Sequence, residues 1–192
     1  MPFRRCSMSP LTSDLGPLFL ERARYYLAIE FRTKLRSAVE ALPPGALWWR
    51  PNDQSNSVGN LLLHLAGNVR HWIVCGVGGA PSTRDRAAEF GARSGPDAGE
   101  LLARLDLVLA DADRVLGGLT IANLLERRTI QGRKVTVLEA VFHVVEHFAQ
   151  HLGQIILVAK LHAPGSIQFY EDAGGLARPV WPDLVRPLTR EP

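Results

Sequence analysis

Three of the six histidines fall in one nine-residue stretch, HVVEHFAQH, where His143, His147 and His151 recur every four residues. Four residues is about one turn of an α-helix, and side chains so spaced stand with their Cβ atoms about 5–6 Å apart. Two imidazoles in that relation reach one divalent ion, as in other helical His-x-x-x-His sites. Without a metal, the same pattern is a polar helix face rich in histidine. Two ligands seldom make a tight site, so a third must come from another element. His64, in GNLLLHLAGN, is the candidate. Asn60 and Asn68 flank it one turn either way, placed to hold an imidazole tautomer or to contact a ligand.

Three neutral imidazoles suit zinc or nickel, and also iron or manganese, and they leave a coordination position open for water or a substrate atom. A structural zinc site would be closed by four ligands and would use cysteine. Cys75 is a helix length from these motifs and Cys6 lies near the N-terminus, so neither is counted in the site. Glu146 and Gln150 fall toward solvent on the helical wheel. Gln154 shares the histidine arc, where it can orient a ligand but cannot act as a base. That scarcity of bases favours activation by the metal itself.

The elements that must position these residues read as four amphipathic helices. The first spans about Ser13 to Leu42, with Leu15, Leu18, Phe19, Tyr26 and Ile29 as its stripe, and Pro43-Pro44-Gly45 ends it. The second runs from about Ser57 to Cys75, with Asn56 or Ser57 as N-cap. Residues 77–96 read as a charged connection. The third helix spans about Pro96 to Leu116, with Leu101, Leu105, Val108, Leu109 and Ala112 inward.

The fourth helix runs from about Thr136 to Leu161, with Thr136 and Glu139 forming a capping box. Its apolar face is Val141, Phe142, Val145, Phe148, Leu152, Ile156 and Ala159. On that wheel the histidines spread over roughly 80°, His151 nearest the core and His143 nearest solvent. Residues 126–136 read as a short hairpin about Gln131-Gly132. The whole predicts an all-α four-helix bundle, one domain over residues 1–192. Residues 1–12 read as a lead-in. Residues 163–192 read as an irregular tail packed on the bundle through Phe169, Tyr170 and Trp181.

The 192-residue chain is long enough for one sizeable core. A net charge of +3, with no long Lys/Arg run, argues against a nucleic-acid partner. No apolar run reaches the roughly 18 residues of a membrane span, and no apolar segment follows the N-terminal arginines as a secretory signal requires. Two cysteines outside any CxxC pair fit a reducing compartment, so a cytoplasmic protein without a membrane partner is expected.

WWRPNDQSNSVGNLLLHLAGNVRHWI (48–73) with HVVEHFAQHLGQI (143–155) resembles the DinB-like/YfiT family of small four-helix bundles. The resemblance runs from the first helix to about Leu161. It implies a divalent metal held by His64, His147 and His151, with His143 a supporting neighbour. It further implies a metal-dependent enzyme acting on a small-molecule substrate, either a low-molecular-weight-thiol S-transferase or a hydrolase. The alternative is a non-catalytic stress-associated protein that keeps a vestigial metal site. A homodimer is expected, through the exposed edge of the first or third helix.

Overall fold

The computed structural model describes residues 10–180, and they are predominantly helical. Helices α1 (Pro10–Tyr25) and α2 (Arg32–Glu40) form one helical run through a π-helical stretch, Tyr26–Phe31. The run starts three residues before the expected Ser13, so the end of the expected lead-in is helical. Its buried face is Leu20, Ala23, Leu27, Leu35, Ala38 and Val39. The expected stripe was misplaced: Leu15 and Leu18 are 62% and 52% exposed. Both precede the π-helical stretch and lie on the side of the helix away from Leu20, Ala23 and Leu27, so the stripe drawn through the largest side chains took the wrong face. Eight residues from Leu27 to Leu35 would swing the face by about 80° on an ideal helix, and the wider turn absorbs most of that drift.

Helix α3 (Val58–Val69) continues as a second π-helical stretch, Arg70–Val77. Ser57 caps it, and Asn60 completes the capping box. The connection after it holds an unforeseen short helix, α4 (Arg86–Gly91), capped by the Asp85 side chain. Helix α5 (Ala98–Gly117) starts at a second capping box, Asp97 with Glu100, and α6 (Ile121–Leu124) is a single turn. Strands β1 (Arg127–Ile130) and β2 (Arg133–Thr136) pair antiparallel. Their turn residues Gln131 and Gly132 have φ of 52° and 74°, as a two-residue type I′ turn requires.

Helix α7 (Val137–His162) begins at the expected Thr136–Glu139 capping box. Its buried residues are Val137, Ala140, Val141, Val144, Phe148, Leu152, Ile155 and Ala159. That face lies about 60° from the expected one, rotated toward the histidines. Phe142, expected inside, is 61% exposed. In the tail, β3 (Tyr170–Asp172) pairs with β4 (Ala177–Pro179), so the segment is not wholly irregular. Ile167 is its most deeply buried residue among those described, and Phe169 packs against the core. Tyr170 is 45% exposed, but its hydroxyl accepts a 2.9 Å hydrogen bond from Lys34 Nζ. Trp181 lies outside the described residues.

All the long helical runs contribute to one cluster of buried apolar side chains. Helix α3 lies within it, packed against α4, α5 and α7. Ion pairs tie the first run to α5: Arg24 to Asp113 at 2.7 Å, and Arg32 and Arg36 to Asp106 at 2.6 and 2.7 Å. Among the described residues, no helix is long and apolar enough to cross a membrane.

Candidate metal centre

The seam between α3 and α7 carries the histidines. His64 is 3% exposed on α3, while His147 and His151 are half-buried on α7. Each of the three offers one ring nitrogen to a group whose members all lie within 4.8 Å of one another. The His64 and His147 Nε2 atoms are 3.1 Å apart. The His64 and His151 rings meet edge to face at 5.1 Å, and those of His147 and His151 at 4.5 Å. His143 lies outside this group. Its ring packs on Trp72 at 4.3 Å and stands 5.3 Å from that of His147.

The outer ring nitrogens of His64 and His151 have fixed partners. His64 Nδ1 lies 2.8 Å from Glu89 Oε2. The carboxylate can only accept, so the ring proton belongs on Nδ1 and the Nε2 lone pair faces His147; Arg84 Nη2, 3.1 Å from the same Nδ1, donates instead to the closer Glu89 Oε2. Arg84 forks onto the same carboxylate, donating from Nε to Oε1 at 2.7 Å and from Nη2 to Oε2 at 2.8 Å. Burial works to raise the Glu89 carboxyl, but hydrogen bonds from Arg84 and then His64 outweigh it and hold it below its ordinary value. On α7, His151 Nδ1 donates to Gln154 Oε1 at 2.8 Å, which turns its Nε2 lone pair free.

Burial and the neighbouring rings of His151, His64 and His143, together with Arg84, push His147 down to about 3. Burial likewise lowers His151, against the hydrogen bond to Gln154, which raises it. These two imidazoles are therefore neutral at pH 7, the state that binds metal.

The residues fit a divalent ion. Three ring nitrogens on a tetrahedral ion at about 2.1 Å stand about 3.4 Å from one another, inside the observed range of separations. A His64 lone pair aimed at a second imidazole, with no carboxylate between them, is the donor arrangement such an ion resolves. The His147 Nδ1 atom is buried without a hydrogen-bond partner among the described residues.

The flanking amides do different work. Asn60, expected near a ligand, is 0% exposed and fully engaged. Its Oδ1 accepts from the Ser57 amide and hydroxyl and from Arg50, and its Nδ2 donates to the Glu89 and Ala92 carbonyls. It anchors the α4 segment and has no donor or acceptor left over. Asn68 is 4% exposed, and its Oδ1 has no partner among the described residues. Gln154 is exposed and orients His151.

Glu89, Arg84 and Phe90, whose ring lies 4.4 Å from that of His64, were not anticipated from the sequence. The available signal was an Asp N-cap at Asp85 and a glycine stop at Gly91, bounding one short helical turn.

The DinB superfamily model matches residues 29–155, and the chain belongs to that superfamily. A DinB-like protein of Bacillus subtilis, YjoA, has a similar solved fold. It matches with a TM-score of 0.59 at 18% identity, over 77% of this chain and 96% of that one. A comparison with curated proteins returned no match.

Proposed function

We propose that this chain is a metal-dependent enzyme of the DinB superfamily, a single-domain four-helix bundle in which His64, His147 and His151 hold a divalent ion. The observation that carries this reading is the convergence of three ring nitrogens on the α3–α7 seam. Zinc or nickel is the expected metal, with iron or manganese the other candidates. When bound, the ion would lower the pKa of a thiol or a water molecule and so supply a nucleophile at neutral pH.

The protein's own residues bind and orient. Glu89 holds the His64 proton on Nδ1, Gln154 does the same for His151, and Phe90 shields one side of His64. Asn68 Oδ1, buried one turn from His64 and without a partner among the described residues, is the proposed contact for a substrate or a low-molecular-weight thiol. The reaction class is thiol S-transfer or hydrolysis on a small molecule, in the cytoplasm, with neither nucleic acid nor membrane as partner. A homodimer is part of the proposal, supported by the exposed Leu15 and Leu18 of α1 and Leu107 of α5.

The test is metal analysis of protein purified without chelator, followed by a screen of thiol conjugation and ester or amide hydrolysis with the metal-loaded protein. Metal without turnover in either screen would favour the non-catalytic alternative. No metal uptake at all would end the enzyme reading.

A further inference from the structure

We propose that Glu89 is the positioning carboxylate of the histidine cluster and that Gly67 is the residue that admits it. The consequence for metal affinity rests on the metal reading above; the geometry does not.

Gly67 sits inside α3, one turn short of Arg70. Glycine is a poor helix residue, and the backbone does not call for it, since Gly67 is not among the described residues with positive φ. The demand is for space. A Cβ at Gly67 would stand 2.0 Å from Glu89 Oε1, 2.9 Å from its carboxyl carbon and 3.0 Å from Arg84 Nε. The Glu89–Arg84 pair therefore lies directly on the bare backbone of α3.

The carboxylate is held at both oxygens. Its two oxygens hold Arg84 and His64, and both members of the Arg84–Glu89 pair are at most 10% exposed. The backbone that carries it is pinned as well. Asn60 donates to the Glu89 carbonyl at 2.8 Å, and Arg50 donates to the carbonyls of Phe90 and Ala92 at 3.1 and 2.8 Å. A methyl group at position 67 would push the carboxylate off His64 rather than shift the segment. His64 would then lose the acceptor that keeps its proton on Nδ1, and the lone pair on Nε2 would no longer be assured. Carboxylates that bond a metal-binding histidine in this way raise its basicity and fix its tautomer. Arg84 lets a buried carboxylate stay ionised while it does so.

The test compares wild type with Gly67→Ala, Glu89→Ala, the double variant and the near-isosteric Glu89→Gln. The first readout is the nitrogen NMR signature of His64 in the metal-free protein. The second is zinc affinity by calorimetry at fixed pH. In wild type His64 should carry its proton on Nδ1. Gly67→Ala and Glu89→Ala should each lose that signature and weaken zinc about 10–100-fold. The double variant should bind no worse than Glu89→Ala alone, because Gly67 acts only through Glu89.

Glu89→Gln keeps the packing and should still weaken zinc toward the lower end of that range. If Gly67→Ala does not fold, the double variant, which removes the clash, carries the comparison. Zinc affinity and a His64 signature unchanged in Glu89→Gln and Gly67→Ala would overturn the proposal. So would an equal loss from Gly67→Ala with and without Glu89, which would make it a packing residue alone. If wild type takes up no zinc but the His64 signature responds as expected, the metal reading falls and the positioning role stands.

Discussion

The Nε2 atoms of His64 and His147 lie 3.1 Å apart, with the proton of His64 held on its far side by Glu89. Two imidazoles from different helices meet there nitrogen to nitrogen, and His151 stands beside both. The expected outcome of zinc titration is one ion per chain. His147→Ala and His151→Ala should each weaken binding by more than the 10–100-fold typical of an outer partner's loss. His143→Ala should leave it nearly unchanged, because its ring faces Trp72. Retention of zinc by His151→Ala together with its loss in His143→Ala would replace this set with the pair one turn nearer the start of α7.

Acidification should destabilise the metal-free protein. In the unfolded chain His147 takes up a proton near the ordinary value of about 6.5. In the folded chain burial and the neighbouring rings delay that to about 3. Between those values the unfolded state binds more protons, so stability falls as pH falls, and the loss levels off below the folded value. The slope from this one residue is at most about 1.4 kcal/mol per pH unit. His151 and His143, also lowered by burial, act in the same direction. Urea unfolding at pH 7 and pH 5 measures it. His147→Ala should flatten the dependence, and an unchanged slope in that variant would remove His147 as its source.

The two phenylalanines of α7 should differ sharply in their contribution to stability. Phe148 is 0% exposed and stacks on Phe31 at 5.8 Å, whereas Phe142 is 61% exposed. Phe148→Ala should cost about 3–5 kcal/mol, and Phe142→Ala within about 0.5 kcal/mol. Chemical denaturation of both variants decides it. Similar losses would mean that Phe142 is covered by something the described residues do not include.

Helical periodicity located α3, α5 and α7 to within a few residues, because capping residues and Pro/Gly stops bound them. It put His143, His147 and His151 on one arc and His64 at a boundary, since i, i+4 spacing survives small errors in the wheel, while the family resemblance chose His147 and His151, which with His64 lie together. It placed the apolar faces less well. A stripe drawn through the largest side chains took Phe142, Leu15 and Leu18 as core, although all three are exposed.

Glu89 was beyond reach for a different reason. It sits 25 residues along the chain from His64, on a helix too short to show periodicity, and in sequence it is one acid in a charged loop. Asn60 spends its hydrogen bonds on the cap and the α4 segment, and in sequence a cap residue and a ligand contact look alike one turn from a histidine.

Asn60 Oδ1 accepts from Ser57 and Arg50, and its Nδ2 donates to the carbonyls of Glu89 and Ala92. Asn60→Ala therefore strands several buried groups at once, at a cost of about 1–3 kcal/mol for each left without a partner. The α4 segment should loosen with it, because two of the lost bonds hold its backbone. The expected outcome is a lower unfolding temperature, faster proteolysis within residues 84–92, and weaker zinc binding as Glu89 drifts from His64. Limited proteolysis with mass analysis of the fragments, alongside thermal unfolding, checks all but the last, which calorimetry reads. A variant that kept wild-type stability and protease resistance while losing only ligand affinity would return Asn60 to the role that its spacing from His64 first suggested.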